Sequence, residues 1–266
     1  QWQNDFLPRK AAPVSSPKTH GDNLSEATFH SGGLEKREQG RFVANFLVNM
    51  LVSRQVSGSE FALPSEWASL DSESFSERFP NLVRLRSQSI ERLNQGSGVV
   101  DAAGGSGHVS MALGLLNILS TVVDPRESVG KLPGRDRKVW NRALRNMQTC
   151  QPVRQYDTLR AWLGAAPPQV RTSDQHDVPV CSASSQLLQG ASAIVALHPD
   201  EATGSVVDMA IALRIPFVVV PCCVFARYFP DRRVKCSDGS TTRAVSTHAD
   251  LCEYLMGRNA SIQMTR

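Results

Sequence analysis

The chain lacks the long hydrophobic runs, regular cysteine spacing and internal repeats that mark several large protein classes. No apolar run approaches the roughly 18 residues needed to cross a bilayer, so the sequence predicts no membrane-spanning helix. The six cysteines fall at uneven intervals, which argues against a secreted disulfide framework and for an intracellular, reducing compartment. With 266 residues, 41% of them hydrophobic, the chain is still large enough for one generous domain with extensions.

The charge is mildly basic, at +4 with a pI near 8.8, and this balance alone does not indicate a nucleic-acid partner. The basic residues are nevertheless clustered, once in the middle of the chain and once after the last strong strand. Each cluster is either a solvated surface or a face that contacts RNA phosphates. The clusters are Arg135, Arg137, Lys138, Arg142, Arg145, Arg154 and Arg160, and then Arg227, Arg232, Arg233 and Lys235.

Three regions differ in composition. Residues 1–33 form an extended low-complexity tail, which would be disordered alone in water and is expected to become ordered only against a protein or RNA partner in a large assembly. Residues 34–97 have the apolar spacing of amphipathic helices and predict an N-terminal helical extension. Residues 98–266 alternate strand and helix patterns, which predicts an α/β domain with a parallel sheet and helices on both faces.

Within residues 98–266 the patterns predict individual elements. The predicted strands are 98–101, 118–123, 192–197 and 216–221, and the predicted helices are 108–116, 136–148, 154–163, 202–213 and 247–257, the last capped by Thr247. The segment 164–190 has no clear period, so it predicts a long loop around a weak third strand.

A glycine-rich turn follows the first predicted strand. It begins with Asp101 and Ala103, and its glycines, Gly104, Gly105 and Gly107, allow a sharp turn with no side chain in the way of a ligand. The helix that follows presents the positive end of its dipole to the same place. The spacing Asp-x-Ala-x-Gly-x-Gly differs from the dinucleotide-binding Gly-x-Gly-x-x-Gly. A glycine-rich turn that binds no ligand is the alternative.

A second carboxylate ends the next predicted strand. Asp124 comes 23 residues after Asp101, close to the roughly 20 residues that separate such a turn from an acidic residue that binds ribose. A carboxylate there accepts two hydrogen bonds from a diol. The alternative is a simple turn before Pro125.

Two later predicted strands also end in polar residues, His198 and Asp200 after one and Cys222 and Cys223 after the other. The carboxyl ends of parallel strands are where ligands bind, so His198 is a candidate general base or substrate-orienting group. A zinc site made by His198, the two cysteines and Cys181 lacks the usual Cys-x-x-Cys spacing, and no metal is expected. Cysteines that serve as small buried hydrophobic residues are a further alternative.

Taken together, these motifs resemble a eukaryotic family of class I S-adenosylmethionine (SAM)-dependent methyltransferase-like proteins, distantly similar to tRNA ribose methyltransferases. The resemblance covers roughly residues 40–266 and implies a Rossmann-like methyltransferase sheet. The matching segments are Gly40–Phe46, Asp101–His108, Val122–Arg126, Leu197–Thr203 and Val220–Phe225.

The resemblance also implies roles for individual residues. Asp124 would hold the ribose hydroxyls of SAM, and the residues lining the rest of the cofactor would be Asp101, Ala103, Gly104, Gly105 and Gly107. His198 and Asp200, the implied catalytic pair, lie where many relatives carry an Asn/Asp-Pro-Pro-aromatic motif. This chain lacks that motif, which argues against methylation of adenine or amide nitrogens.

The sequence thus predicts a SAM-dependent methyltransferase acting on or bound to RNA, either rRNA or tRNA. The alternative is a catalytically inactive methyltransferase-fold assembly factor or structural component of a large mitochondrial ribonucleoprotein, such as a ribosome precursor. A mitochondrial location is favoured by the basic pI and a chain that starts at Gln1, as after removal of a leader, with cytoplasm or nucleus as alternatives. Only Ala260–Arg266 follow the last predicted helix, so the terminal hairpin of the family is expected to be missing or incomplete, leaving a sheet edge for a partner to cover.

Overall fold

Five parallel strands form the centre of the fold in a computed structural model that describes residues 35–57, 67, 70–146, 152–164, 177–236 and 241–265. Their order across the sheet is β3-β2-β1-β6-β7, and all four pairings are parallel. In chain order the strands of this sheet are β1 (Gly98–Ala102), β2 (Ser120–Asp124), β3 (Asp157–Arg160), β6 (Ala191–Leu197) and β7 (Phe217–Val220). The predicted α/β fold is confirmed as Rossmann-like in general. The predicted tail, residues 1–33, lies outside the described residues.

The remaining strands form two small sheets. Short β4 (Trp162–Leu163) and β5 (Val180–Cys181) pair in parallel, and β8 (Arg233–Lys235) and β9 (Thr242–Ala244) form an antiparallel pair. Both pairs lie outside the central sheet, in which β7 is an edge strand.

Eight helices connect or cover these strands in the described part of the chain. They are α1 (Lys36–Ser57), α2 (Ser72–Arg78), α3 (Val83–Leu93), α4 (His108–Leu115), α5 (Gly134–Asn146), α6 (Gln186–Gln189), α7 (Thr203–Leu213) and α8 (His248–Met256). The predicted cap of α8 is confirmed, since the Thr247 hydroxyl accepts from the Asp250 amide and Asp250 reciprocates in a capping box. Among the described residues, no helix is both long enough and apolar enough to span a bilayer.

One predicted helix, 154–163, is wrong, because this segment forms β3 and β4. Residues Asp157 to Arg160 pair with Thr121 to Asp124 along the free edge of β2. A four-residue edge strand of mostly exposed residues carries little periodicity of its own, so backbone pairing with a neighbour determines its conformation. The third strand of the sheet therefore precedes the segment 164–190 in which it was expected.

The N-terminal helix α1 shares its hydrophobic core with the sheet. Val43 and Leu47 are at most 1% exposed and belong to the same cluster as Val99 of β1 and Leu113 of α4. The two helices approach so closely that a Cβ atom on Gly40 would lie 2.6 Å from the carbonyl oxygen of His108. Each such buried aliphatic side chain contributes about 1.5–3 kcal/mol, so α1 stabilises the helix that begins at the glycine turn.

The strand order places a topological switch point between β1 and β6, because successive connections leave toward opposite sides of the sheet there. In open parallel sheets, ligands bind in the crevice outside the carboxyl ends of strands at such a point. The candidate site residues predicted from the sequence lie at this carboxyl edge of the sheet.

Candidate site at the carboxyl edge of the sheet

The glycine turn after β1 is left-handed at alternate residues. The φ angles of Ala103, Gly105 and Gly107 are +52°, +53° and +82°. The Gly107 amide donates to the Gly104 carbonyl over 2.9 Å, and Gly107 is the N-cap of α4. The predicted spacing thus matches a real backbone requirement, and Ala103 meets that requirement without being glycine.

We expect replacement of Ala103 by glycine to stabilise the fold. A left-handed φ costs an ordinary residue about 1–2 kcal/mol, whereas the extra freedom of unfolded glycine costs only about 0.5–1 kcal/mol. Ala103→Gly should therefore raise the free energy of unfolding by about 0.5–1 kcal/mol in urea. Ala102→Gly is the matched control, since Ala102 is a fully buried strand residue and its replacement should destabilise. A loss of stability in Ala103→Gly would contradict the argument.

Asp101 is a buried carboxylate at the end of β1, with 0% of its surface exposed. Its Oδ2 accepts from the amide and hydroxyl of Ser110, over 3.0 and 2.9 Å. Its Oδ1 has no hydrogen-bond partner among the described residues. Burial is the largest cause that raises the pKa of Asp101 to about 7; Ser110 opposes the rise and the charge of Asp124 adds to it.

The glycine turn leaves room for this carboxylate. A Cβ atom on Gly104 would lie 2.6 Å from Oδ1 of Asp101, a contact that real side chains do not make. Gly104 is therefore required by the approach of a buried acid. Oδ1 of Asp101 therefore lies against the glycine turn at which the sequence predicts a bound ligand.

Asp124 also lies at this edge, but its two oxygens are already engaged. Oδ2 accepts from the Gly105 amide over 3.0 Å and from Nη2 of Arg126 over 2.8 Å. Oδ1 accepts from the amide and Nε of Arg126, over 3.0 and 2.8 Å. Asp124 is 2% exposed, whereas the Arg126 side chain is 57% exposed. In this structure the arginine therefore takes the hydrogen-bonding positions that were expected for a ribose.

Arg126 also covers the glycine turn, since a Cβ atom on Gly105 would lie 2.5 Å from its Nη2. The hydrogen bonds to Asp124 are the largest cause that raises the pKa of Arg126, and the charges of Asp200 and Glu201 add to the rise. The guanidinium thus lies in the field of acids from both β2 and the end of β6.

The loop after β2 folds over the glycine turn. The Gly130 amide donates to the Gly105 carbonyl over 2.7 Å, and the Tyr156 hydroxyl donates to the Gly130 carbonyl over 2.9 Å. Burial raises the pKa of Tyr156 to about 12, and the charge of Asp101 adds to the rise. Tyr156 therefore forms an aromatic side of the site and acts as a hydrogen-bond donor there.

On the other side of the crevice, His198 and Asp200 follow β6 with φ angles of +54° and +48°, and both are exposed. The His198 amide donates to the Val220 carbonyl over 3.0 Å. The Cys222 thiol donates to Oδ1 of Asp200 over 3.1 Å. Burial, Asp200 and Cys223 all raise the pKa of the Cys222 thiol, so this thiol is protonated at neutral pH and is no activated nucleophile.

The structure does not bring together the four residues of the zinc site considered from the sequence, His198, Cys222, Cys223 and Cys181. Among the described residues, Cys222 and Cys223 cluster with Asp200 rather than with His198. Cys181 is buried in β5, where its sulfur lies 3.3 Å from the Ser185 hydroxyl.

Carboxylates dominate the charge of the site. Burial is the largest cause that raises the pKa of Glu201, and Asp200 and Asp124 add to it while Arg126 opposes it. The charge of Asp124 also adds to the rise in the pKa of Asp101. Such a crevice favours a ligand that carries positive charge and hydrogen-bond donors, and it disfavours a pyrophosphate.

Several residues of the site were not predicted. Ser110 had a usable signal, because a hydroxyl in the first turn of the helix can reach the strand-end acid before it. Arg126 also had one, since a guanidinium two residues after a carboxylate can fold back onto it. Tyr156 had none, because it reaches the turn only through the pairing of β3 with β2, and Gly130 had none, because it contacts Gly105 from a separate loop.

No protein-family model, curated protein or solved structure matches the chain.

Proposed function

We propose that this protein is a SAM-dependent methyltransferase that acts on RNA, either tRNA or rRNA. The observation that carries the proposal is the pair of buried strand-end carboxylates, Asp101 and Asp124, on either side of a left-handed glycine turn. SAM has a sulfonium, an ammonium and one carboxylate, so it is a net cation that also bears a ribose diol. Its charge and donors match this crevice better than those of an anionic dinucleotide.

The residues present fit such a cofactor. Oδ1 of Asp101, which has no hydrogen-bond partner among the described residues, supplies a negative charge beside the turn. Gly105, which Arg126 covers in this structure, has no side chain that would block a ligand once the arginine moves away. Asp124 supplies two acceptor oxygens for a diol once Arg126 moves away, and the 57% exposure of the Arg126 side chain allows that movement. Tyr156 closes the site from the β3 side.

The bound cofactor would supply the methyl group, which leaves a sulfonium in an in-line displacement. The protein must then mainly hold the acceptor in place and exclude water. We assign His198 to orienting or deprotonating the acceptor, with Asp200 as a second polar residue of the same turn, because both follow β6 at the switch point and an imidazole is a common proton-transfer group.

An exposed basic face supports RNA as the acceptor. Helix α5 buries Trp140 and Ala143 and exposes Arg135, Arg137, Lys138, Arg142 and Arg145. Such a face binds phosphates with an affinity that falls steeply with salt. In the second cluster Arg232 does not contribute, since it is 8% exposed and lies 3.6 Å from the ring centroid of Phe229.

Calorimetric titration of the folded chain with SAM tests the proposal. We expect micromolar binding, weakened by roughly 1–3 kcal/mol in Asp124→Ala, the cost of losing a charge-assisted hydrogen bond. Asp208→Ala is the control, because it removes an exposed carboxylate of α7 that pairs with Arg258, away from the glycine turn.

Absence of binding by the folded wild type would overturn the enzyme proposal. The remaining candidate would be an inactive methyltransferase-fold component of a ribonucleoprotein, such as a mitochondrial ribosome precursor. The hydrogen bonds between Arg126 and Asp124 favour that candidate, because they satisfy the acid without any ligand.

A further inference from the structure

A carboxylate and two thiols converge where β6 and β7 end. The ligand atoms of Asp200, Cys222 and Cys223 all lie within 4.8 Å of one another. Asp200 belongs to the turn after β6, and the cysteines come two and three residues after β7. The in-register pairing of Leu197 with Val220 brings these chain segments together although they are distant in sequence.

The backbone around this cluster is held from several sides. Asp200 is in the left-handed region, and its carbonyl accepts from the Thr203 hydroxyl over 2.6 Å. On the β7 side, Nε2 of His248 lies 3.0 Å from the Pro221 carbonyl oxygen. The backbone that carries the three side chains is therefore held in place, which lowers the entropy cost of holding an ion between them.

The donor set selects a class of metal. Thiolates favour Zn²⁺ and other thiophilic ions over Mg²⁺ and Ca²⁺, which take oxygen ligands. Tetrahedral zinc, with bonds of about 2.0–2.3 Å, places its ligand atoms about 3.3–3.8 Å apart. A cluster already within 4.8 Å reaches that spacing by small side-chain rotations.

We propose that Asp200, Cys222 and Cys223 bind a thiophilic divalent cation of the Zn²⁺ class, which displaces the proton of each thiol into solvent as the metal–sulfur bonds form, with a fourth position open to water or to another ligand. Asp200 and Cys223 are exposed and Cys222 is partly buried, so an ion has access from solvent. The carboxylate of Glu201 adds negative charge nearby. Three protein ligands with an open position are typical of zinc sites that act on bound ligands. This proposal does not depend on binding of SAM.

Titration of the reduced, metal-free chain with Co²⁺ and then Zn²⁺ tests the site. We expect one equivalent of Co²⁺ to produce a sulfur-to-cobalt charge-transfer band that Zn²⁺ abolishes. The band should be lost in Cys222→Ser/Cys223→Ser and retained in Cys252→Ser, which removes a partly buried thiol of α8. Asp200→Asn should weaken Zn²⁺ binding by at least roughly tenfold, the cost of losing even an outer partner of a zinc ligand.

A second measurement keeps the proposal falsifiable if a variant misfolds. Zn²⁺ should protect the exposed Cys223 of the wild type from alkylation by iodoacetamide, while Cys252 stays reactive. A charge-transfer band that persists in the double variant, the absence of any band in the wild type, or equal alkylation with and without Zn²⁺ would each overturn the proposal.

Discussion

Replacing Asp101 with asparagine is expected to stabilise the fold at pH 8 by about 2–4 kcal/mol relative to the wild type. Burial raises the pKa of Asp101 from 3.8 to about 7, so the folded wild type at pH 8 carries a buried charge that its unfolded chain accommodates in water. Asparagine removes this charge, and its side-chain oxygen still accepts from Ser110.

The sign of the pH dependence follows from the same shift. Between pH 4 and 7 the folded state keeps a proton on Asp101 that the unfolded state has released, so this residue makes stability fall as pH rises. Its contribution is fully present below about pH 4 and is lost as pH rises through about 7. The difference in unfolding free energy between wild type and Asp101→Asn, from urea titrations across this range, isolates the effect from other acids.

Asp208→Asn is the control, since it removes an exposed carboxylate, and its stability curve should run parallel to that of the wild type. A parallel curve for Asp101→Asn would contradict the assignment of a buried, titrating acid.

If the cofactor is SAM, the ionised form of Asp101 is the one that attracts it. Binding should then strengthen between pH 6 and 8, and at pH 7 it should release about half a proton per site. Calorimetry in buffers with different ionisation enthalpies measures this release. Asp101→Asn should abolish the release and weaken binding at pH 8, whereas a pH-independent affinity would show that Asp101 does not face the cofactor.

The sequence was sufficient to predict the turn after β1 because its determinants are local. Three glycines between a β-branched strand and an apolar helix permit the left-handed backbone conformations that a sharp turn needs, which the flanking residues disfavour. The structure places Gly105 and Gly107 in the left-handed region. Asp101 and Asp124 were predictable for a similar reason, since each ends an apolar run and the carboxyl ends of neighbouring parallel strands share one edge.

Other features depend on contacts between distant segments and were not predictable. The edge strand β3 exists because β2 offers a free edge, and the arrival of Tyr156 at the glycine turn follows from that pairing. The cluster of Asp200 with the two cysteines requires the register between β6 and β7, which no local pattern specifies. Arg126 belongs to neither basic cluster of the sequence. Its side-chain position is nevertheless determined by Asp124, only two residues before it.

Arg126→Met is expected to tighten SAM binding by about five- to tenfold, the opposite of the change expected for Asp124→Ala. The diol must displace two hydrogen bonds of the Arg126 side chain from Asp124. Because the guanidinium is largely exposed, we discount that cost to about 1 kcal/mol. Methionine retains much of the aliphatic volume and removes both the competing donors and a positive charge that repels a cationic ligand.

A double-mutant cycle separates this competition from a direct role of the arginine. In an Asp124→Asn background, Arg126→Met should change SAM affinity by less than about 0.5 kcal/mol, because the ion pair that held the site closed is already lost. Arg126→Lys should fall between wild type and Arg126→Met, since an ammonium keeps the charge but not the two-point contact. Weaker binding in Arg126→Met would instead show that the guanidinium contacts the ligand, and Asp124 would then act by positioning that arginine.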